Sequence, residues 1–289
     1  MLWNRSRSSS NVEQDAGGGG GGFGLGPIHL GFGGTVIAIL IAIIFPQTRG
    51  LIFGLLAGGG GAGNTPAQTE PADGNDPQVQ FVKHILGSTE DVWTAYFQRM
   101  GKQYVDPKLV LFRGEVSTAC GGASAAVGPF YCPGDQRVYL DLDFFQELAT
   151  RFHSDSDFAR AYVIAHEVGH HVQDQLGIMD AEQQAHDRGA PMQGANGLSV
   201  RLELQADCFA GVWANQSQRQ LQWLQPGDIE SALNAASQIG DDTLQKESQG
   251  TVVPDSFTHG TSAQRVHWFK AGFRSGNIAD CDTFKAQTL

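Results

Sequence analysis

Positive charge is scarce in this chain. Nineteen Lys and Arg stand against 30 Asp and Glu, a formal net charge of −11 over 289 residues. That deficit excludes nucleic acid or anionic lipid as the main partner, because both are held by clustered Lys and Arg. Cysteine is scarcer still, with Cys120, Cys132, Cys208 and Cys281. None of the four forms a C-x-x-C pair, which argues against a zinc ribbon. Long apolar runs are also wanting. The longest, Leu30 to Phe45, has 16 residues, just short of the roughly 20 that cross a bilayer.

What is present is a short motif, His166-Glu167-Val168-Gly169-His170, inside the apolar stretch Tyr162 to Val172. Histidines four apart on a helix share one face, one turn apart, so both imidazoles can reach one metal ion. Glu167, beside the first histidine, is placed to act as general base toward a water at that metal. An extended version of the motif needs a glycine three residues after the second histidine and a third histidine three later. Those places hold Gln173 and Leu176, so a third ligand must come from elsewhere. His171, a quarter turn from His170, reads as a packing or supporting residue.

Glu203 is the candidate third ligand, since hydrolytic zinc sites usually take three protein ligands and leave one position for water. Asp207 lies one turn further on the same face and can accept the free ring N–H of a ligating histidine. Ordinary solvated acids are the alternative. Both fall, however, among Leu202, Leu204, Ala206, Phe209, Val212 and Trp213, where an unpaired carboxylate is costly.

These stretches, with Gly121 to Pro133, Glu203 to Gly211 and His259 to Arg265, resemble the gluzincin group. The closest likeness is to the bacterial neutral zinc metallopeptidase family, whose members carry one membrane anchor. The resemblance runs from about residue 80 to the C terminus. It implies one zinc per chain on His166, His170 and Glu203, with Asp207 supporting a ligand. It also implies a zincin-like core, in which a peptide pairs as an added strand beside the metal. Arg137 to Leu142 is the candidate edge for that pairing. The expected activity is endopeptidase hydrolysis of a peptide or protein substrate, with Glu167 moving the proton. His259, on a glycine-flanked turn, is the candidate oxyanion donor, a plain loop histidine being the alternative; Arg265 could pair with Asp207 or another acid and is left unassigned. Two other readings stay open: a non-catalytic zinc-bound scaffold on the membrane, and a hydrolase of non-peptide amides.

The front of the chain is organised differently. Residues 1–30 are polar and glycine-rich, too poor in apolar residues to fold alone, and read as a disordered tail. Residues 31–56 read as a single transmembrane anchor, with a buried helix or a cleaved leader as alternatives. Arg5 and Arg7 favour a cytoplasmic N terminus. Residues 57–79 read as a flexible linker, and 80–289 as the zinc domain, placed outside the cytoplasm of a bacterial inner membrane. Four cysteines allow three pairings. Cys120–Cys132, closing a short glycine-rich loop, and Cys208–Cys281, pinning the C-terminal segment, are favoured over free thiols and agree with an oxidising compartment.

The spacing predicts helices over Ser88–Met100, Phe144–Phe152, Phe158–Leu176, Ser199–Ala214, from Pro226 to Gly240, and over Thr261–Phe273. Strands are predicted at Leu109–Phe112 and Arg137–Leu142, and a polar excursion at Asp180–Gly197. The fold class is α+β, a helix-dominated domain with a small sheet, preceded by the one transmembrane helix.

Overall fold

The computed structural model describes residues 1–16, 67–124, 128–150 and 156–289. The expected anchor over residues 31–56 lies outside them. Among the described residues no helix is long and apolar enough to cross a membrane.

Seven described strands form two sheets. They are β1 (Val12–Asp15), β2 (Thr69–Pro71), β3 (Lys108–Phe112), β4 (Glu115–Thr118), β5 (Gly121–Ser124), β6 (Phe130–Cys132) and β7 (Arg137–Asp141). The larger sheet runs β2-β1-β3-β7-β6, with β1, β3 and β7 parallel and the two outer strands antiparallel to their neighbours. β4 and β5 make a separate hairpin. Alternation explains why Leu109–Phe112 and Val138–Leu140 are buried without a break, since successive side chains face opposite sides and both faces are covered. Leu109, Leu111, Val138 and Leu140 join the main helical core, whereas Val110, Phe112 and Tyr139 pack in a second cluster with Val116 and Phe130. The predicted strands are therefore found, but Arg137–Leu142 is not an edge. β7 is paired on both sides, and the edge on that flank is β6.

Eight helices are described: α1 (Pro77–Arg99), α2 (Phe144–Thr150), α3 (Asp157–Gln175), α4 (Ile178–Asp187), α5 (Leu198–Leu221), α6 (Asp228–Gln238), α7 (Asp241–Gln249) and α8 (Ser262–Ser275). α1 begins well before the expected Ser88. Asp76 caps it by accepting from Gln78 N, and Pro77 occupies the first turn, a start signal that glycine at 87 obscured. The presumed excursion after residue 180 contains α4, which buries no residue fully and so leaves no apolar period to read. α3, α5 and α8 carry the core around Tyr162, Phe209, Trp213 and Phe269, all fully buried.

The largest departure from the sequence reading is at the front. Residues 1–16, expected to be part of a disordered tail, are folded onto the domain, and residues 67–79, expected to be linker, supply β2 and the start of α1. The segment has little apolar content of its own. It is held instead by pairing to β2 and β3 and by polar contacts to α1, so a composition argument about independent folding does not reach it. Both favoured disulfides are present: Cys120–Cys132 ties the β4–β5 hairpin to β6, and Cys208–Cys281 ties α5 to the C-terminal segment.

Candidate metal centre

α3 and α5 cross at a point where Gly169 meets Ala206. A β-carbon on Gly169 would stand 3.1 Å from the Ala206 carbonyl oxygen, so glycine inside the motif lets the two backbones approach. Ser156 caps α3 by accepting from Ala159 N, and a helical turn on each partner then sets the side chains. His166 and His170 come from α3; Glu203 and Asp207 come from α5.

The candidate ligands converge. His166 Nε2 lies 3.2 Å from Glu203 Oε2, and His170 Nε2 lies 3.4 Å from Glu203 Oε1. One donor atom from each of the three residues falls within 4.8 Å of the others. Donors placed tetrahedrally around zinc at about 2.1 Å stand about 3.4 Å apart, so the donor set fits that ion in type and spacing.

The outward ring nitrogens are engaged. His166 Nδ1–H donates to Asp207 Oδ1 at 2.9 Å, and His170 Nδ1–H donates to Gln173 Oε1 at 2.8 Å. Each imidazole is thereby held with Nε2 pointing to the shared centre. Gln173 is itself fixed by donating to Leu202 O at 2.7 Å and Gln205 Oε1 at 3.1 Å.

Asp207 is fully buried, and its carboxylate is saturated. Tyr162 OH donates at 2.5 Å, Arg265 Nε at 2.9 Å and Arg265 Nη2 at 3.0 Å. Burial raises its pKa, but the Arg265 guanidinium and His166 outweigh that and hold it at about 2. For His166, burial favours the neutral ring, yet Asp207 and Glu203 together push it to about 10. Glu203, also disfavoured by burial, is held well below the carboxylate range by His259, His170 and His166. A proton on His166 therefore competes with a metal, and metal uptake releases it. Glu167 moves the other way, its pKa raised above all by burial, as suits a base that must take up a proton.

His259 reaches the same centre. Its Nε2 lies 3.8 Å from Glu203 Oε2, and burial depresses its pKa. The turn that carries it is built by Asp241, whose Oδ2 accepts the backbone N–H groups of Thr258, His259 and Gly260 at 2.7, 2.7 and 3.0 Å. His171 points elsewhere: its Nε2–H donates to Val105 O at 2.8 Å.

Tyr162, Gln173, Asp241 and Glu182 were not legible as site residues, whereas Arg265 takes the pairing with Asp207 that the sequence had left unassigned. Tyr162 falls one turn before His166, which is the one available signal. Glu182, on α4, is pushed up to about 7 by burial and then by Glu203. The others depend on how α5, α7 and α8 close around α3.

The family model described as "Putative neutral zinc metallopeptidase" matches residues 1–284. The chain is 47% identical over 287 residues to "Uncharacterized protein YpfJ" of Escherichia coli (strain K12), covering 98% of this chain and 99% of that protein. It is 45% identical over 220 residues to "Uncharacterized protein Rv2575" of Mycobacterium tuberculosis (strain ATCC 25618 / H37Rv), covering 73% of each. No solved structure is significantly similar to it.

Proposed function

The chain belongs to the neutral zinc metallopeptidase family, and from that premise we propose a zinc-dependent endopeptidase with a zincin-like catalytic core. The observation that carries the reading is the meeting of His166 Nε2, His170 Nε2 and the Glu203 carboxylate beside a buried Glu167. A zinc ion on those three residues would supply a Lewis acid and lower the pKa of a water molecule.

The chain's own groups do the rest. Glu167 takes the proton of the attacking water and delivers it to the leaving amine. Asp207 and Gln173 hold the two rings in one tautomer and orientation. His259 stands where a donor can face the oxyanion of the tetrahedral intermediate. A peptide is favoured over other amides by β6, which is the sheet edge beside α3. Its Tyr131 hydroxyl lies 3.2 Å from His171 Nδ1 on the motif helix, and an added peptide strand is the pairing that a free sheet edge offers. A purely structural zinc site gives no reason for a buried carboxylate with a raised pKa next to the ligands.

The disulfides support an extracytoplasmic domain, and the apolar residues between 30 and 57 support attachment to a membrane. The test is Glu167→Gln. Peptide hydrolysis falls by about 10^2- to 10^4-fold while zinc stays near one per chain by elemental analysis. Undiminished hydrolysis in that variant removes Glu167 as the base.

A further inference from the structure

His166 and His170 are steered by different chemistry. Behind His166 stands a charged cluster, Asp207 with Arg265 and Tyr162. Behind His170 stands a row of neutral amides. Its Nδ1–H donates to Gln173 Oε1 at 2.8 Å, Gln173 Nε2 donates to Gln205 Oε1 at 3.1 Å, and Gln205 Nε2 donates to the Cys281 carbonyl at 2.9 Å. Gln173, Gln205 and Cys281 are all buried, so each polar group depends on the partner it has.

The direction of the row is set by two peptide carbonyls. A carbonyl only accepts, so an amide that meets one presents its NH2 there. Leu202 O takes that role for Gln173, at 2.7 Å, and Cys281 O takes it for Gln205. Gln205 Oε1 is then the acceptor facing Gln173, and Gln173 Oε1 the acceptor facing His170. His170 accordingly carries a proton on Nδ1, and its Nε2 faces Glu203 Oε1 at 3.4 Å. The far end is fastened to α5. Arg201, Gln205 and Cys208 form one stripe of that helix, turned away from the stripe of Glu203 and Asp207. Arg201 Nη1 donates to the carbonyls of Thr283 and Ala286, and Thr283 Oγ1 donates to Arg201 O at 2.6 Å. Cys281 ends the short turn Ile278–Cys281 after α8. One turn of α5 holds it twice, through the Cys208 disulfide and through Gln205.

We propose that Gln205 is a positioning residue of the candidate metal centre: it aims the His170 ring through Gln173, and the disulfide-held carbonyl of Cys281 is its anchor. The C-terminal turn, far from the motif in sequence, thereby takes part in presenting His170 to a metal. A partner behind a ligating histidine fixes its tautomer and its angle, and a partner free to swing fixes neither. Gln173 alone is tied to Leu202 O; Gln205 adds the second tie, and with it the amide is held at both hydrogens of its NH2. The inference rests on His170 as a zinc ligand and is independent of peptide hydrolysis.

The test measures zinc affinity of the full chain by chelator competition in the unaltered form, in Gln173→Met, in Gln205→Met and in the double variant. Methionine keeps the length of the side chain and removes the amide. Gln173→Met weakens zinc by roughly 10- to 100-fold and Gln205→Met by roughly 10-fold. In the Gln173→Met background Gln205→Met adds less than about 2-fold, because its effect passes through Gln173. The same factor on both backgrounds, or no loss in Gln205→Met alone, overturns the proposal. A second reading needs no variant. In the zinc-loaded unaltered chain labelled with 15N-histidine, the His170 Nδ1–H exchanges with solvent no faster than the Thr283 amide, which donates to the same Cys281 carbonyl. A freely exchanging Nδ1–H beside a protected Thr283 amide also overturns it. Zinc that leaves the His170 ring signals unshifted overturns the ligand reading itself, and the proposal with it.

Discussion

Two buried carboxylates in this molecule solve the same physical problem for different ends. Asp207, in the candidate metal centre, is satisfied by Tyr162, Arg265 and His166, which arrive from α3 and α8. Glu90, in α1, is satisfied by Arg7, Ser9 and Asn11, all from the N-terminal segment. Each charge is stable only because its partners are brought to it, and each therefore specifies an arrangement of chain. Around Asp207 the arrangement orients the His166 imidazole toward Glu203. Around Glu90 it holds the chain's first residues onto the domain. A buried acid with full partners thus identifies a constrained place, and only the neighbouring chemistry tells whether that place is catalytic.

The comparison predicts that damage to one cluster leaves the other intact. The largest effect is at the ligands: Glu203→Ala abolishes stoichiometric zinc binding, read by elemental analysis, while hydrogen exchange across β1 and β2 is unchanged. Next is Gly87→Leu: a β-carbon there would overlap the Arg7 carbonyl, so the variant expels residues 1–16 from α1 and leaves Glu90 without its donors. It destabilises the fold by about 3–5 kcal/mol, read by denaturant unfolding, and the zinc content of the folded fraction stays near one per chain. Asp207→Asn is milder, weakening zinc by roughly 10- to 100-fold through loss of ring orientation, read by competition with a chelator. The smallest effect is acid sensitivity from Asp207. Its folded pKa of about 2 lies below the ordinary 3.8, so its contribution is complete above about pH 4 and is lost as pH falls toward 2. The size is about 2 kcal/mol, and in Asp207→Asn the corresponding part of the acid unfolding curve flattens. Coupled loss of zinc in Gly87→Leu, or of β1 protection in Glu203→Ala, breaks the separation.

The convergence of the candidate ligands was legible because they obey helical spacing. His166 and His170, like Glu203 and Asp207, are four apart, and an apolar frame around each pair marks the face that is buried. Both disulfides were legible from loop length and the position of α5. Gln173 was not, because its role exists only once α5 packs on α3; Arg265 was legible only as a partner for Asp207 or another acid, because the packing of α8 makes the choice. The front of the chain misled for a different reason. Strand β1 is polar and short, and its stability resides in Gly87, Glu90, β2 and β3, far along the sequence. Composition reports whether a segment can fold alone and is silent on whether another part of the chain is built to receive it. β7 misled in a related way: its apolar run fits a paired interior strand as well as an edge, and only the register with β3 and β6 decides.

The central claim is that two imidazoles and one carboxylate from α3 and α5 bind a single zinc ion. X-ray absorption at the zinc edge of the purified full chain tests it directly. The account predicts one zinc per chain with two imidazoles and oxygen donors at about 2.0–2.2 Å, a signal that disappears in Glu203→Ala. Sulfur at about 2.3 Å, or a spectrum that Glu203→Ala leaves unchanged, contradicts it.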